Sequence, residues 1–343
     1  MRQLLNSLYV TIQGAWLHRE GDAVVVEVER EKRLSVPVHT LSSIVCFGQV
    51  SCSPFLMALC ADAGVSMAFL TENGRFLARV QGPISGNVLL RRKQYQWADR
   101  PECAASIAFS VVRAKVANCR QNLLRSARDS SDSKARDALE RTALRLLRLL
   151  NDIKPSAPVE TVRGYEGEAA RTYFEAFDHM ILVAKENFFF NGRSRRPPLD
   201  NVNALLSFLY TLLTHDVASA LESVGLDPGV GYLHTDRPGR PSLALDLVEE
   251  LRPVLADRLA LTLINRRQVT SAGFSRTPSG GITMNDETRR EVLIAYQKRK
   301  QEELLHPFLK ERISYGMIPF VQATLLARYM RGDLDGYASF LWR

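Results

Sequence analysis

The hydrophobic pattern changes once along this chain, near residue 82, and that change constrains the fold more than any other feature. Before it, short apolar runs are separated by turn or charged residues, which is typical of β-strands. Beyond it, apolar residues recur at helical spacing over long stretches. With 343 residues the chain can form two domains with separate cores. The sequence therefore predicts an α+β protein, with a small N-terminal β-rich domain followed by a larger all-α domain.

The predicted β-rich domain spans residues 1–82. Its predicted strands cover residues 7–11, 15–18, 23–28, 34–38, 65–70 and 76–80, with hairpin turns at 20–22 and 72–74. A short helix is expected from Pro54 towards Ala63, because Ser53 is a good N-cap and proline is favoured at the first helical position. Residues 83–95 are expected to form a linker.

The predicted α-helical domain spans residues 96–343. Its clearest helices cover residues 139–150, 202–221, 243–263 and 286–309. Asn285 is expected to cap the last of these helices. Two breaks interrupt the helical pattern, a basic loop at 191–198 and a turn region rich in Gly, Ser and Thr at 273–281.

Composition narrows the class of protein. The five cysteines are odd in number and contain no C-x-x-C pair, which argues against a disulfide framework and against a zinc ribbon. No window approaches the roughly 18 uninterrupted apolar residues of a membrane span, and the N-terminus lacks the features of a secretory signal. We therefore expect a cytoplasmic protein that does not associate with membranes. The net charge of +8 is compatible with a polyanionic partner such as DNA.

Three segments of the helical domain concentrate residues that are able to carry chemistry. Glu166 lies between two glycines at a predicted helix start, and His234 lies in a loop flanked by Gly and Pro. Asp246 and Glu249, three residues apart, share one helix face with apolar neighbours, so that face is at least partly buried. Buried like charges are unfavourable unless a cation or a hydrogen-bond donor compensates them, and a divalent metal would do so. A mixed set of carboxylate and imidazole ligands suits Mg²⁺ or Mn²⁺ better than zinc.

Simpler interpretations of these residues stay open at this point. A buried carboxylate in a helical domain is more often paired with an arginine than with a metal, and three arginines are available: Arg163, Arg171 and Arg252. A single histidine such as His234 more often has a structural role. Glu249 and Glu250 are also compatible with a solvated helix face.

Four motifs in order carry a family resemblance. They are GYEGEAAR at 164–171, PLDNVNALLS at 198–207 followed by Tyr210, GYLHT at 231–235, and SLALDLVEELRP at 242–253. Together they resemble the CRISPR-associated integrase family, the first of the numbered Cas proteins, and they suggest a type I, subtype C system. The resemblance covers the whole chain, since members of this family share the β domain, the linker and the α domain in this order.

The resemblance implies a metal-dependent DNA endonuclease and integrase of CRISPR adaptation, an antiviral defence. Such an enzyme joins the 3′-hydroxyl ends of short DNA fragments, called prespacers, into a CRISPR repeat by transesterification. Glu166, His234 and Glu249 are then the catalytic residues and the ligands of Mg²⁺ or Mn²⁺. Asp246 is an accessory acid, and its spacing from Glu249 leaves open which of the two touches the metal. The form Asp-x-x-Glu departs conservatively from the Asp-x-x-Asp of some members.

Basic and aromatic residues near these motifs are candidates for binding DNA. They are Arg193, Arg195, Arg196, Arg237, Arg240, Arg266, Arg267, Tyr165 and Tyr232. Each arginine is equally compatible with an ordinary solvated surface. Tyrosines beside a site more often pack behind it than contact the substrate.

The resemblance also implies partners. It predicts a homodimer formed through the β domain, and two such dimers that clasp a small ferredoxin-like protein, the second numbered Cas protein, in a heterohexamer. A DNA-trimming nuclease of the Cas four type is a further suggested partner. Two other functions remain open, a non-catalytic DNA-binding scaffold and a general metal-dependent nuclease that acts on branched DNA.

Overall fold

The computed structural model describes residues 6–72, 74, 76–80 and 88–342. The N-terminal part contains the strands β1 (Asn6–Val10), β2 (Trp16–Glu20), β3 (Ala23–Val28), β4 (Glu31–Pro37), β5 (Leu41–Phe47), β6 (Ser51–Cys52), β7 (Ser66–Leu70) and β8 (Phe76–Val80), and the helix α1 (Pro54–Asp62) between β6 and β7. The larger C-terminal part is mainly helical, so the predicted α+β class is confirmed.

The helical part contains α2 (Val88–Ala98), α3 (Pro101–Asp129), α4 (Ser133–Asp152), α5 (Val159–Glu175), α6 (Asn201–Ser223), α7 (Ser242–Leu251), α8 (Arg258–Asn265), α9 (Asp286–Gln301) and α10 (Ile318–Arg331). A π-helical turn, Arg252–Asp257, joins α7 to α8. Two hairpins, β9 (Phe274–Arg276) with β10 (Ile282–Met284) and β11 (Glu303–Leu305) with β12 (Arg312–Ser314), interrupt the helices. The expectation of an all-α domain is wrong for these two short hairpins.

The strands form two four-stranded sheets, in the orders β1-β5-β7-β8 and β4-β3-β2-β6. The predicted hairpin at 20–22 is confirmed, because β2 and β3 pair antiparallel across it. Strand β5, which the sequence pattern did not reveal, lies between β1 and β7 and is parallel to both. Its apolar residues do not alternate with polar ones, because a strand with neighbours on both sides and cover on both faces is buried throughout.

Helix α1 begins as predicted. The side chain of Ser53 accepts a hydrogen bond from the backbone N–H of Leu56, and Pro54 occupies the first turn. Leu56 and Cys60 on this helix join residues of both sheets, among them Leu17 and Ile44, in one apolar core. The predicted turn at 72–74 includes Asn73, which lies outside the described residues.

The predicted linker at 83–95 is wrong from Val88 onwards, where α2 begins. Residues 83–87 lie outside the described part of the chain. Within α2, Leu90 is buried in the helical core and Gln94 is fully buried against the loop before α7. The polar run at 91–94 hid this helix from the sequence pattern, because tertiary contacts and not amphipathic spacing hold it.

The predicted helix at 286–309 is shorter than expected. Its N-terminus is confirmed, because the side chain of Asn285 accepts a hydrogen bond from the backbone N–H of Thr288 at 2.9 Å. The helix ends at Gln301, and β11 follows before His306 and Pro307. Proline cannot continue a helix and restricts the residue before it to extended backbone, so Pro307 excludes the predicted helix from running on to residue 309.

The β-rich and helical parts are packed against each other. The rings of Phe47 and Phe208 lie 5.9 Å apart, and both belong to the large core of the helical part. Lys300 on α9 donates hydrogen bonds to Ser7 on β1 and to Asp216 on α6, at 3.1 Å and 2.9 Å. Helix α6 is long and apolar enough to cross a membrane by composition, but 67% of its most apolar window is buried inside the protein. Its composition therefore suits a core helix.

Candidate metal centre

Three helices converge on one charged cluster in the helical part. Helix α3 contributes Lys115, α5 contributes Glu166 and α7 contributes Glu249. The ammonium of Lys115 contacts a carboxylate oxygen of Glu166 and lies 2.5 Å from Oε2 of Glu249. Lys115 is 6% exposed and Glu249 2% exposed. Two carboxylates from different helices therefore contact the same buried cation, the ammonium of Lys115.

Glu166 occupies the middle of α5, so the prediction that it begins a helix is wrong. The two flanking glycines lower helix propensity, but the buried face of α5 packs into the core and tertiary contacts override the local preference. A methyl group added at Gly164 or Gly167 would meet no other atom within 4 Å. The surface of α5 beside Glu166 is therefore open to a ligand.

The charges of the cluster balance one another. Burial alone would raise the pKa of Glu249, but Arg252, whose Nη1 lies 2.6 Å from Oε1, and Lys115 lower it to about 2. Burial alone would lower the pKa of Lys115, but the carboxylates of Glu249 and Glu166 outweigh burial and raise it. The interpretation of Glu249 as a solvated residue is wrong, whereas the suggested pairing with Arg252 is confirmed.

His234 lies in a loop, as predicted, and Asp246 holds that loop. The carboxylate of Asp246 is fully buried and accepts hydrogen bonds from the backbone N–H groups of Tyr232, Leu233 and His234 at 2.6, 3.0 and 2.9 Å. Nδ1 of His234 lies 2.7 Å from the same carboxylate. Because a carboxylate accepts, Nδ1 carries the hydrogen and the lone pair of the ring is on Nε2. Asp246 therefore orients His234.

Other residues fix the same loop from outside. The guanidinium of Arg163 on α5 donates to the carbonyl oxygen of Leu233 from Nε and Nη2, at 3.0 and 2.7 Å. Gln94 donates to the carbonyl of Asp227 and accepts from its N–H, at 2.7 and 2.8 Å. A Cβ at Gly231 would lie 2.5 Å from the carbonyl oxygen of His234, so only glycine fits there. Contacts from α2, α5 and α7 therefore hold the loop in place.

The donor set fits a divalent cation such as Mg²⁺ or Mn²⁺. Oε2 of Glu249 is buried without a hydrogen bond of normal geometry, although the Lys115 ammonium is close. His234 is anchored to Asp246, which stands three residues before Glu249 on the same helix. Among the described residues no three His, Cys, Asp or Glu side chains form a ready metal cluster, and the ammonium of Lys115 lies between the two glutamates. Carboxylate oxygens with one imidazole are ligands that these metals accept.

Several residues of this cluster were not found from the sequence. Lys115 lies among buried apolar residues of α3, and a lysine on the apolar face of a long helix was the available signal. Asp257 in the π-helical turn is buried and accepts hydrogen bonds from Tyr173 and Tyr210 at 3.1 and 2.6 Å. Tyr210 in turn lies under the guanidinium of Arg252, 4.7 Å from its ring centre. Asp257 therefore fixes Tyr210, and the ring of Tyr210 supports the guanidinium of Arg252.

The predicted DNA-binding residues fall into two groups. The exposed ones are Arg195, Arg196, Arg237, Arg266 and Arg267, and Arg240 is half-buried. Arg193 instead points inward, and its guanidinium donates to Asn203 and Ser207 at 2.6 and 3.1 Å. In this structure Arg193 orders its own loop, and its contact with DNA stays a prediction.

The two predicted tyrosines do not reach a substrate equally. Tyr232 is 4% exposed and its hydroxyl donates to the carbonyl of Gln94 at 3.2 Å. It packs behind the site, which is the alternative interpretation of such tyrosines. Tyr165 is half-buried against the core.

Comparison with known proteins identifies the family. A family model described as CRISPR associated protein Cas1 matches residues 8–298, a range that includes Glu166, His234 and Glu249. The chain belongs to the Cas1 family. A CRISPR-associated endonuclease Cas1 of Rhodospirillum rubrum is 51% identical and one of Chlorobaculum tepidum 50% identical, each over 100% of both chains. A Cas4 exonuclease–Cas1 endonuclease fusion of Geobacter sulfurreducens is 35% identical over 98% of this chain, which spans 60% of that longer protein.

Solved structures share the fold. A Cas1 protein from Thermotoga maritima superposes with a TM-score of 0.79 at 26% identity, over 96% of this chain and 97% of that one. A casposase bound to an integration product has a TM-score of 0.81 at 22% identity, over 96% and 92%. A chain of a Cas6-RT-Cas1–Cas2 complex has a TM-score of 0.80 at 24% identity, over 98% of this chain and 36% of that one. The last two comparisons concern the fold alone.

Proposed function

We propose that this Cas1 protein is a metal-dependent DNA endonuclease and integrase, which joins the 3′-hydroxyl ends of prespacers into a CRISPR repeat. The observation that carries the proposal is the convergence of Glu166 and Glu249, from two helices, on one cation, with His234 anchored to Asp246 one turn before Glu249. The name endonuclease given to relatives that are about half identical to this chain supports the nuclease activity. The likeness in fold to a casposase bound to an integration product is compatible with DNA joining.

The proposed reaction is a transesterification at phosphorus. The prespacer 3′-oxygen forms a bond to the phosphorus of a repeat phosphate, and the bond from that phosphorus to its original 3′-oxygen breaks. The attacking hydroxyl gives its proton to solvent, and the leaving 3′-oxygen takes a proton from solvent. Glu166, His234 and Glu249 would hold a Mg²⁺ or Mn²⁺, which would supply charge stabilisation at the phosphoryl oxygens when bound. Asp246 orients the His234 ring, and Arg252 keeps Glu249 ionised.

The open surface of α5 lets a DNA backbone approach Glu166. Gly164 and Gly167 have no side chain to block the approach, and a Cβ at either position would have no neighbour within 4 Å. Exposed arginines on the loops beside His234 and α6 supply positive charge for phosphates: Arg195, Arg196 and Arg237. Phosphoryl transfer needs positioning and charge stabilisation more than covalent help, and this arrangement offers both.

The proposal extends to partners. The β-rich part exposes large apolar side chains, Phe55 at 77% and Trp16 at 41% among them, as a dimerisation surface would. We propose a homodimer through this part and a heterohexamer with Cas2, which accompanies Cas1 in one structural neighbour. The fused relative suggests a Cas4 nuclease as a further partner. A cytoplasmic location and a type I, subtype C pathway complete the proposal.

A strand-transfer assay tests the proposed function. Purified protein with Cas2 is mixed with a short duplex bearing 3′-hydroxyl ends, a plasmid carrying the repeat, and Mn²⁺. Glu166→Ala is compared with Glu168→Ala, because Glu168 is an exposed glutamate two residues away on the same helix. We expect joined product with the unaltered protein and with Glu168→Ala, and none with Glu166→Ala.

DNA binding is measured in parallel on the same three proteins. Retained binding with lost joining in Glu166→Ala supports the enzyme. Joining that survives in Glu166→Ala contradicts the proposed site. Absence of joining in all three proteins, with DNA binding intact, favours a scaffold, and cleavage of branched DNA in place of joining favours a general nuclease.

A further inference from the structure

Lys115 occupies the position where the proposed metal would be held. Its ammonium contacts Glu166 and Glu249 together, and its side chain is 7% exposed. Without a cation at this point, the two carboxylates of α5 and α7 would repel one another in a poorly hydrated site. Lys115 therefore does for the protein alone what a divalent ion would do in the active enzyme.

The charges of the cluster argue that the ammonium of Lys115 and a divalent metal ion do not occupy the site together. Lys115 and Arg252 supply two positive charges, which already balance the two negative charges of Glu166 and Glu249. A divalent ion added to this balanced set would face an ammonium in contact with both of its carboxylate ligands. Arg252 binds the other oxygen of Glu249, Oε1, and leaves Oε2 to Lys115. The oxygens of Glu166 and Glu249 that face each other become available to a metal when Lys115 moves away, and Arg252 can stay in place.

We propose that Lys115 is a built-in competitor for the metal, an intramolecular cation that holds the site in order and must withdraw before the divalent ion binds. This inference rests on the proposed function, because it assumes that Glu166 and Glu249 are metal ligands. It has two consequences. Removal of the ammonium tightens metal binding, and it destabilises the protein in the absence of metal.

Binding of Mn²⁺ to the DNA-free protein, followed by electron paramagnetic resonance of the free ion, tests the inference without reference to activity. Lys115→Met removes the charge and keeps an unbranched side chain. Lys300→Met is the matched control, because Lys300 is also buried and also paired with a carboxylate, that of Asp216, on another side of the fold. We expect Lys115→Met to bind Mn²⁺ about tenfold more tightly and Lys300→Met to bind it as the unaltered protein does.

Thermal unfolding gives a second measurement. In EDTA both lysine variants are expected to melt below the unaltered protein, since Lys115→Met removes one of the two cations beside Glu249 and Lys300→Met removes the cation beside Asp216. Saturating Mn²⁺ is expected to raise the melting temperature of Lys115→Met more than that of the other two proteins. Lys115→Gln, which is shorter and polar, repeats both measurements if the methionine variant does not fold.

Glu166→Gln separates failure of this inference from failure of the proposed site. If it weakens Mn²⁺ binding in both the unaltered and the Lys115→Met backgrounds, the metal site stands. Equal or weaker binding by Lys115→Met in that case overturns the role of Lys115 alone. If Glu166→Gln leaves Mn²⁺ binding unchanged, the metal is bound elsewhere, and the proposed site and the competitor are both wrong.

Discussion

Glu249 and Glu250 are consecutive residues of α7, both buried, and they belong to two differently built clusters. Glu249 meets Lys115 and Arg252, and its pKa falls to about 2. Glu250 accepts from the hydroxyl of Tyr337 at 2.5 Å and from the backbone N–H of Phe340 at 2.7 Å. Burial raises its pKa to about 7, and these hydrogen bonds only partly oppose the shift.

The difference shows what distinguishes a metal-binding candidate from a structural carboxylate. Neutral donors order the chain around Glu250, where Gln322, Tyr337 and Phe340 form what we name the tail cluster. Cations are needed around Glu249, because carboxylates converge there. Helix α3 serves both, since Asn118, one turn after Lys115, donates to the carbonyls of Glu250 and Phe340 at 2.7 and 2.8 Å.

The largest expected effect is a contrast between the two glutamates in DNA joining. Glu249→Gln removes a proposed metal ligand and should lower the joining rate by about 10³-fold, since a bound metal contributes several kcal/mol to transition-state stabilisation. Glu250→Gln should stay within about threefold of the unaltered protein, because the amide remains a partner for the tail cluster. Single-turnover joining assays at saturating Mn²⁺ measure both. Equal losses would remove the distinction between the clusters.

The pH dependence of stability should separate the same pair. The folded pKa of Glu250 is raised from 4.5 to about 7, so the folded state binds the proton more tightly than the unfolded chain. Protonated Glu250 therefore contributes roughly 3 kcal/mol to the free energy of unfolding below pH 4.5. This contribution is lost as the pH rises through about 7. The side chain in Glu250→Gln is neutral at every pH, so this variant does not lose that contribution. Its free energy of unfolding in EDTA should therefore rise relative to that of the unaltered protein between pH 5 and pH 8. A gain that is absent, or reversed, would contradict the assignment.

A smaller effect is expected from Asp246→Asn, which would act on the proposed metal through His234. Loss of the carboxylate weakens the contacts that orient the ring, and such changes typically cost 10- to 100-fold in metal affinity. Asp236→Asn is the matched control, because Asp236 is exposed and accepts from the N–H of Gly231 in the same loop at 3.1 Å. Titration with Mn²⁺ measures both variants. Equal affinities would show that Asp246 does not position His234.

Much of the site was predictable because its residues stand in short motifs. Glu166, His234 and Glu249 were found from spacing and resemblance, and the shared face of Asp246 and Glu249 followed from helix geometry. The role of Asp246 was not predictable, since it depends on three backbone N–H groups of a loop, which lie twelve to fourteen residues earlier in the sequence. Lys115 was missed because it is 51 residues from Glu166 in sequence.

The fold was predictable to a similar degree. Hairpin β2–β3 and the caps at Ser53 and Asn285 carry local signals, and the structure confirms them. Strand β5 and helix α2 depend on distant neighbours, so their sequences do not show the usual alternation or amphipathic spacing. Residues whose placement is decided by tertiary partners are the ones that sequence patterns missed.

Anomalous diffraction at the manganese edge, from crystals soaked in Mn²⁺, tests the central claim most directly. We predict one strong peak between the carboxylates of Glu166 and Glu249 and within bonding distance of Nε2 of His234, with the ammonium of Lys115 moved away. A peak elsewhere, or Lys115 still bridging the two glutamates at saturating Mn²⁺, would contradict the account.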